Sequence, residues 1–168
     1  MYPMFQIYMQ EDTLRHFEQL EKTQWLSVDE IKKMQWEKLK NLLEHSYANV
    51  PFYHHVFKTL DMTPKDITTP DDYRILPLLD KEGIRNNIRH IVSLKYKIGD
   101  LIPNSTGGST GVNLNFFNDR KNFGYVRAVG LRNARWAGLE IGDKNATLWG
   151  SPFDISLQDN LKNKIYNK

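Results

Sequence analysis

The chain contains no cysteine. That excludes a disulfide scaffold, thiolate chemistry and every zinc site built on cysteine. It also has no apolar run approaching the ~18 residues a membrane helix needs, so no membrane span is expected. Charge of one sign is scarce as well. The 23 basic residues exceed the 20 acidic ones by only three, too small an imbalance to point to nucleic acid. The N-terminal stretch has neither a basic flank nor a small-residue cleavage site, so it does not read as a secretory signal and the cytoplasm is the expected location. Two sequons, at Asn104 and Asn145, are then chance matches.

What is present is ordinary globular material with extra aromatic mass. Of 168 residues, 40% are hydrophobic, 26% charged and 12% aromatic. This length allows one domain and a core that needs no covalent staples. Large rings favour packing over disorder.

The first half reads as helices. Ser27 and Glu30 have the spacing of a capping box, in which hydroxyl and carboxylate each satisfy an orphan amide. The box opens a long helix whose Trp36, Leu39, Leu43, Tyr47 and Val50 share one face, with most of its lysines and glutamates elsewhere. Pro51 ends that helix and starts the next, Pro51–Phe57. Thr63-Pro64-Lys65-Asp66 and Thr69-Pro70-Asp71-Asp72 read as two short helix starts. Asp80 caps a helix with Ile84, Ile88 and Ile91 as its buried stripe.

Near Gly99 the character changes. Leu101–Pro103 reads as a strand confined to an edge by its proline. Val112–Phe116 alternates as a half-buried strand does. Between them lies Ser105-Thr106-Gly107-Gly108-Ser109-Thr110-Gly111. Asn118 or Asp119 caps a further helix carrying Phe123, Val126, Val129 or Gly130, and Ala134, closed by Gly138. Ala146–Trp149 reads as a short strand, and Leu157–Lys168 as a helix start. The expected class is therefore α/β: a helical N-terminal region, 1–95, followed by a mixed α/β segment, 96–168, of the same domain.

The Ser105–Gly111 stretch is the main chemical signal. Its glycines let backbone amides turn inward, and Ser105, Thr106, Ser109 and Thr110 add hydroxyl donors. Such an array binds anions. It is not a Walker A loop, which ends in Gly-Lys-Ser/Thr where this one continues to Val112. A hairpin tip rich in small residues stands level with the anion cradle on composition alone. The five histidines, His16, His45, His54, His55 and His90, lack a ligand spacing, since His54 and His55 point about 100° apart on a helix. Phe52, Tyr53 and Phe57 suit core packing better than an acyl pocket. Arg120, Lys121, Arg127, Arg132 and Arg135 read as a solvated helix face.

At this loop the sequence resembles the adenylate-forming (AMP-binding) superfamily of acyl-CoA synthetases. Tyr47–Tyr53, Leu76–Lys81 with Ile84–Asn87, Trp136–Leu139, Gly142–Lys144 and Leu148–Ser151 resemble its phenylacetate–CoA ligase-like branch, and together the capsular polysaccharide biosynthesis (CapK-type) members. The resemblance runs from about Trp36 onward. It implies ATP-dependent activation of a carboxylate to an acyl-adenylate, then acyl transfer to coenzyme A or another acceptor. Ser105, Thr106, Gly107, Gly108, Ser109, Thr110 and Gly111 would hold the β- and γ-phosphates, with Mg2+ on the same oxygens. The family often has Pro or Lys soon after the last loop glycine, where this chain has Asn113 and Leu114. Family members are more than twice as long, so the resemblance implies an N-terminal fragment, inactive alone and prone to self-association through exposed sheet edges. A non-catalytic phosphate-binding or protein-interaction domain is the alternative.

Overall fold

A computed structural model describes residues 12–106 and 113–144. Its order is helix α1 (Thr13–Thr23), α2 (Val28–Asn49), α3 (Pro51–Thr59), 3-10 turns at Pro64–Asp66 and Asp72–Ile75, short helices α4 (Lys81–Asn86) and α5 (Ile88–Ile91), a third 3-10 turn at Ile98–Asp100, strands β1 (Ile102–Ser105) and β2 (Asn115–Asn118), and helix α6 (Arg120–Trp136). This is the expected α/β arrangement, mostly helical with one small antiparallel sheet. The expected Ala146–Trp149 strand and the helix start at Leu157 lie outside the described residues.

Helix starts follow the local chemistry. The Ser27 hydroxyl accepts from the Glu30 amide at 3.3 Å, and the Glu30 carboxylate accepts from the Ser27 amide at 2.9 Å. At Thr63 the Asp66 carboxylate accepts from both the Thr63 amide at 2.7 Å and the Thr63 hydroxyl at 2.8 Å, while the Asp66 amide donates to the Thr63 carbonyl at 3.1 Å, and only one 3-10 turn follows. At the next turn the Asp72 carboxylate accepts from both the Thr68 and Thr69 amides, at 2.9 and 2.8 Å. The Asp80 carboxylate caps α4 by accepting from Gly83 N at 2.7 Å. Gly83 suits that turn, because a Cβ there would lie 2.9 Å from Leu79 Cδ1.

One continuous helix was expected after Asp80. The structure breaks it at Asn87. The Asn87 side chain donates to the Gly83 carbonyl at 2.9 Å, and a local side-chain bond of this kind competes with helix propagation. Ile84, Ile88 and Ile91 are half-buried rather than a fully buried stripe.

The core forms where α2 and α3 meet. Leu43 is 5% exposed, Ile67 2% and Phe57 0%. Trp36, Leu39 and Tyr47 from the expected face pack against them, with Met62 and Leu76. Tyr47 meets Phe57 edge-on, their rings 5.5 Å apart. Two helices end in the same 6→1 and 5→2 bonding. At α3, Met62 N donates to Phe57 O and Asp61 N to Lys58 O; at α6, Leu139 N donates to Ala134 O and Gly138 N to Arg135 O. This motif needs a left-handed residue. Gly138 supplies it at φ +82°, and Asp61 does so at φ 51°.

Helix α1 escaped the sequence reading. It lies along α6: His16 meets Tyr125, their rings 5.4 Å apart, Glu21 pairs with Arg135 at 2.9 Å, and Trp136 donates to Gln24 at 2.7 Å. These contacts rise together along both helices, so the two run parallel. This corrects the expected α6 stripe. Gly124 and Ala128 are its buried residues, while Val126 is 58% exposed.

Candidate functional site

The glycine-rich stretch is framed by β1 and β2. They pair antiparallel, Ile102 opposite Asn118 and Ser105 opposite Asn115. Both strands of a two-stranded ribbon are edges, which accommodates Pro103 opposite Phe117. Strand β2 begins three residues later than the expected Val112. The alternation survives where it can be seen: Asn113 and Asn115 are exposed, Leu114 and Phe116 half-buried. It fails at Phe117 and Asn118, which are both half-buried.

At the mouth of the stretch the ladder gains one further rung. Thr106 N donates to Leu114 O at 3.0 Å, and Leu114 N donates to Thr106 Oγ1 at 3.0 Å. Thr106 Oγ1 accepts in that bond, and its O–H proton is a separate donor. Ser105 is exposed one residue earlier, and its backbone amide donates to the Asn104 side-chain oxygen at 2.8 Å. Of the expected phosphate-holding residues, Ser105 and Thr106 are thus together at one end of the ribbon. Gly107, Gly108, Ser109, Thr110 and Gly111 lie outside the described residues. Asn113 and Leu114 stand in the flank that follows, so no lysine is supplied at these two positions.

Helix α6 starts directly after β2, but its N-terminus is already occupied. The Asp119 carboxylate accepts from Asn122 N at 2.7 Å and from the Tyr96 hydroxyl at 2.8 Å. The Asp119 bond is the main reason that the Tyr96 phenol is held above its ordinary pKa, with burial and the carboxylate's charge adding to it. Tyr96 therefore fastens the segment before β1 to the cap that follows β2. Behind the ribbon lies an apolar groove of about 240 Å³, lined by Ile84, Ile88, Leu101 and Phe116 among others.

The other candidates resolve into structural roles. Phe57 is core. Phe52 and Tyr53 meet edge-on at 5.3 Å, and burial is the first cause of the raised Tyr53 phenol pKa, followed by the charge of Tyr73. His54 Nδ1 bonds the Tyr47 carbonyl at 2.9 Å and its ring stacks on Tyr47. Among the described residues no group of three or more His, Asp or Glu converges as a metal site. No helix among them is long and apolar enough to cross a membrane. The basic residues of α6 are not one solvated face. Arg135 bridges Glu21 and Glu140, and Arg132 lies over Trp136 with its guanidinium carbon 4.8 Å from the ring centre.

No family model matches the chain. Curated relatives do. The chain is 38% identical to the phenylacetate-coenzyme A ligase of Escherichia coli (strain K12) over 61 residues, 36% of this chain and 14% of that protein. It is 27% identical to the Pseudomonas putida phenylacetate-coenzyme A ligase over 124 residues, 74% of this chain and 28% of the relative. It is 34% identical to the Aromatoleum evansii phenylacetate-coenzyme A ligase over 68 residues, 40% of this chain and 16% of the relative. The matches thus span less than a third of the relatives' length. They support the adenylate-forming ligase family.

Proposed function

We propose that this chain provides the phosphate-holding segment, and the helices that carry it, of a phenylacetate–CoA ligase-like adenylate-forming enzyme. The observation behind the reading is the ribbon locked at Thr106 and Leu114, at the entrance to a stretch of glycines and hydroxyls, in a chain similar to three such ligases. In the reaction, a carboxylate oxygen attacks the α-phosphorus of ATP. The bond to the bridging oxygen of pyrophosphate breaks, leaving an acyl-adenylate. The acyl group then passes to coenzyme A or another acceptor, releasing AMP. Charge grows on the departing pyrophosphate. Donors already aimed there lower the barrier, each worth roughly 10²–10³ in rate. In this proposal the Thr106 and Ser105 hydroxyls donate at the mouth, and the amides and hydroxyls of 107–111 complete the cradle.

The finer assignment is the CapK-type branch, with a role in capsular polysaccharide biosynthesis and a cytoplasmic location. The division near residue 95 separates the supporting helices from the phosphate-holding part. As a single polypeptide of 168 residues the chain should be inactive, since a phosphate cradle alone does not position a carboxylate in line with the α-phosphorus. ATP–pyrophosphate exchange tests that: no exchange above background is expected, and robust exchange overturns the inactivity. Calorimetric titration tests the cradle. Micromolar binding of pyrophosphate or ATP, lost in Gly108→Val, is expected; equal binding by the variant removes the loop from the site.

A non-catalytic phosphate-binding role is the second reading. It is favoured by Asn113 and Leu114 in the flank where the family often carries Pro or Lys. Phosphate binding without carboxylate-dependent chemistry, in an assembly that holds every other part of the ligase, would favour it. Self-association through the ribbon edges belongs to the same proposal and is read by sedimentation.

A further inference from the structure

We propose that the apolar groove behind the ribbon is covered by the chain's own N-terminal segment, Phe5 to Met9, and is therefore an internal docking surface and not a ligand pocket. The proposal does not rest on the ligase reading. Met1 to Gln10 carries no charged side chain, and Gln6 and Gln10 are its only residues that are neither apolar nor aromatic. Left in water, such a stretch forgoes the burial its side chains could gain. Phe5, Ile7 and Met9 alternate with Gln6, Tyr8 and Gln10, the pattern of an extended segment with one buried face. Residues 1–11 lie outside the described ones, so the argument for where the segment docks starts from its join to α1.

That join lies beside the groove. Asp119, which caps α6, lines the groove itself. Helix α1 runs parallel to α6, with His16 against Tyr125. Asp12 precedes His16 by about 6 Å of helix, and Asp119 precedes Tyr125 by about 9 Å. The two helix starts are thus nearly level, one interhelical spacing of about 8–10 Å apart. From Asp12, extended chain reaches about 10 Å at Met9 and about 23 Å at Phe5, which brackets the groove. The larger cleft beneath α1 is worse placed, since it opens on Leu20, Thr23 and Gln24 at the far end of that helix. The lining matches the segment. Ile84, Ile88, Ile91, Leu101, Phe116 and Phe117 line the groove, and each is only half-buried. No Lys, Arg or His is on that lining, so an anion has no partner there. Of its polar side chains, Tyr96 and Asp119 already bond each other at 2.8 Å. An uncharged apolar occupant fits this chemistry, and tethering gives the segment an effective concentration of about a millimolar, which favours it over a second copy.

The chain has no cysteine, so Lys95→Cys gives one site for a nitroxide label, on an exposed residue between the groove-lining Ser93 and Tyr96. In the full chain the amide resonances of Phe5, Ile7 and Met9 should lose most of their intensity to the label. Phe5→Asp with Ile7→Asp should restore it. The same pair should move the methyl resonances of Ile84, Ile88 and Ile91 and leave that of Ile31, in the cleft beneath α1, in place. A mixture of labelled, non-enriched chains with unlabelled, isotope-enriched ones reads contacts between copies, and full intensity is expected there. An equal loss in the mixture assigns the groove to a second copy and overturns the proposal. Full intensity in the labelled chain overturns it too, as does a loss that the double substitution leaves unchanged.

Discussion

The meeting of α2 and α3 and the β1–β2 ribbon are held by different forces. The first is a burial structure: Leu43, Phe57 and Ile67 are almost wholly removed from water and ringed by partly buried aromatics and aliphatics. The second is a backbone structure. Pro103, Asn104, Ser105 and Thr106 are all exposed, and what holds them is a four-residue ladder plus the paired bonds between Thr106 and Leu114. Hydrophobic burial is worth more per residue than an exposed hydrogen bond. The stability of the chain should therefore reside in the helices, and the geometry of the candidate site in the ribbon. Substitutions can pull the two apart.

The largest effect belongs to Phe57→Ala. It empties the centre of the core and should cost about 3–5 kcal/mol, read as a lower midpoint in urea unfolding. A loss below about 1 kcal/mol would mean that the stability lies elsewhere.

Acid comes next and strikes the helical region through its caps. Hydrogen bonds from Ser27 hold the Glu30 carboxyl below its ordinary pKa, and those from Thr63 do the same for Asp66. Bonds from Thr69 and Thr68 lower Asp72. A carboxyl whose pKa is lower folded than unfolded lends stability above the unfolded value, and that stability is lost as pH falls through the folded one. The three contributions should be fully in force above about pH 4.5 and fade below it. Asp66→Asn with Asp72→Asn should lower the melting temperature at neutral pH and flatten its fall in acid. A double variant with an unchanged acid profile would show that these exposed caps contribute nothing measurable.

Those caps also mark what the sequence makes legible. Ser27 with Glu30, Thr63 with Asp66, Asp80 and Asp119 all act within three residues of themselves, so residue identity and spacing suffice to find them. The α2 face was readable for the same reason, since period and burial coincide from Trp36 to Val50. Helix α1 was not. Its pairing with α6 joins Glu21 to Arg135 across more than a hundred positions, although the spacing of Leu14, Phe17 and Leu20 offered a helical signal. Gly124 and Ala128 were overlooked on α6 because a rule that favours large apolar residues selects Val126. Asn87 broke a helix through a side-chain bond that periodicity does not encode. At the candidate site, the strands and the glycine-rich composition could be read. The lock could not, because nothing local says that the Thr106 hydroxyl accepts from an amide eight residues away.

Thr106→Val tests that lock and the separation of the two regions. It keeps the shape and removes the acceptor for Leu114 N–H. Water can reach this exposed position, so the loss in overall stability should not exceed about 1 kcal/mol. The Leu114 amide should nonetheless exchange with solvent faster, and pyrophosphate binding should weaken. If the variant unfolds like Phe57→Ala, the ribbon supports the helices and the separation fails.

The smallest single shift sits inside the helical region, with Asp61→Gly. The end of α3 places Asp61 at φ 51°, where the amide of Met62 closes onto Phe57 and brings the methionine to the core. Backbone in this region strains most side chains by about 1–2 kcal/mol, less for aspartate and not at all for glycine. The Asp61 side chain is exposed, so replacing it should change the backbone cost and little else. Asp61→Gly relieves the strain but gives the unfolded chain more freedom, which offsets roughly 0.4–1 kcal/mol. The net gain should be about half a kcal/mol at most, while Asp61→Ala should lose about 1 kcal/mol. For a chain of this size the two variants should melt roughly 2–6 °C apart, with glycine the higher. Equal melting temperatures would mean that the turn relaxes when substituted, and that the left-handed residue does not fix Met62 against Phe57.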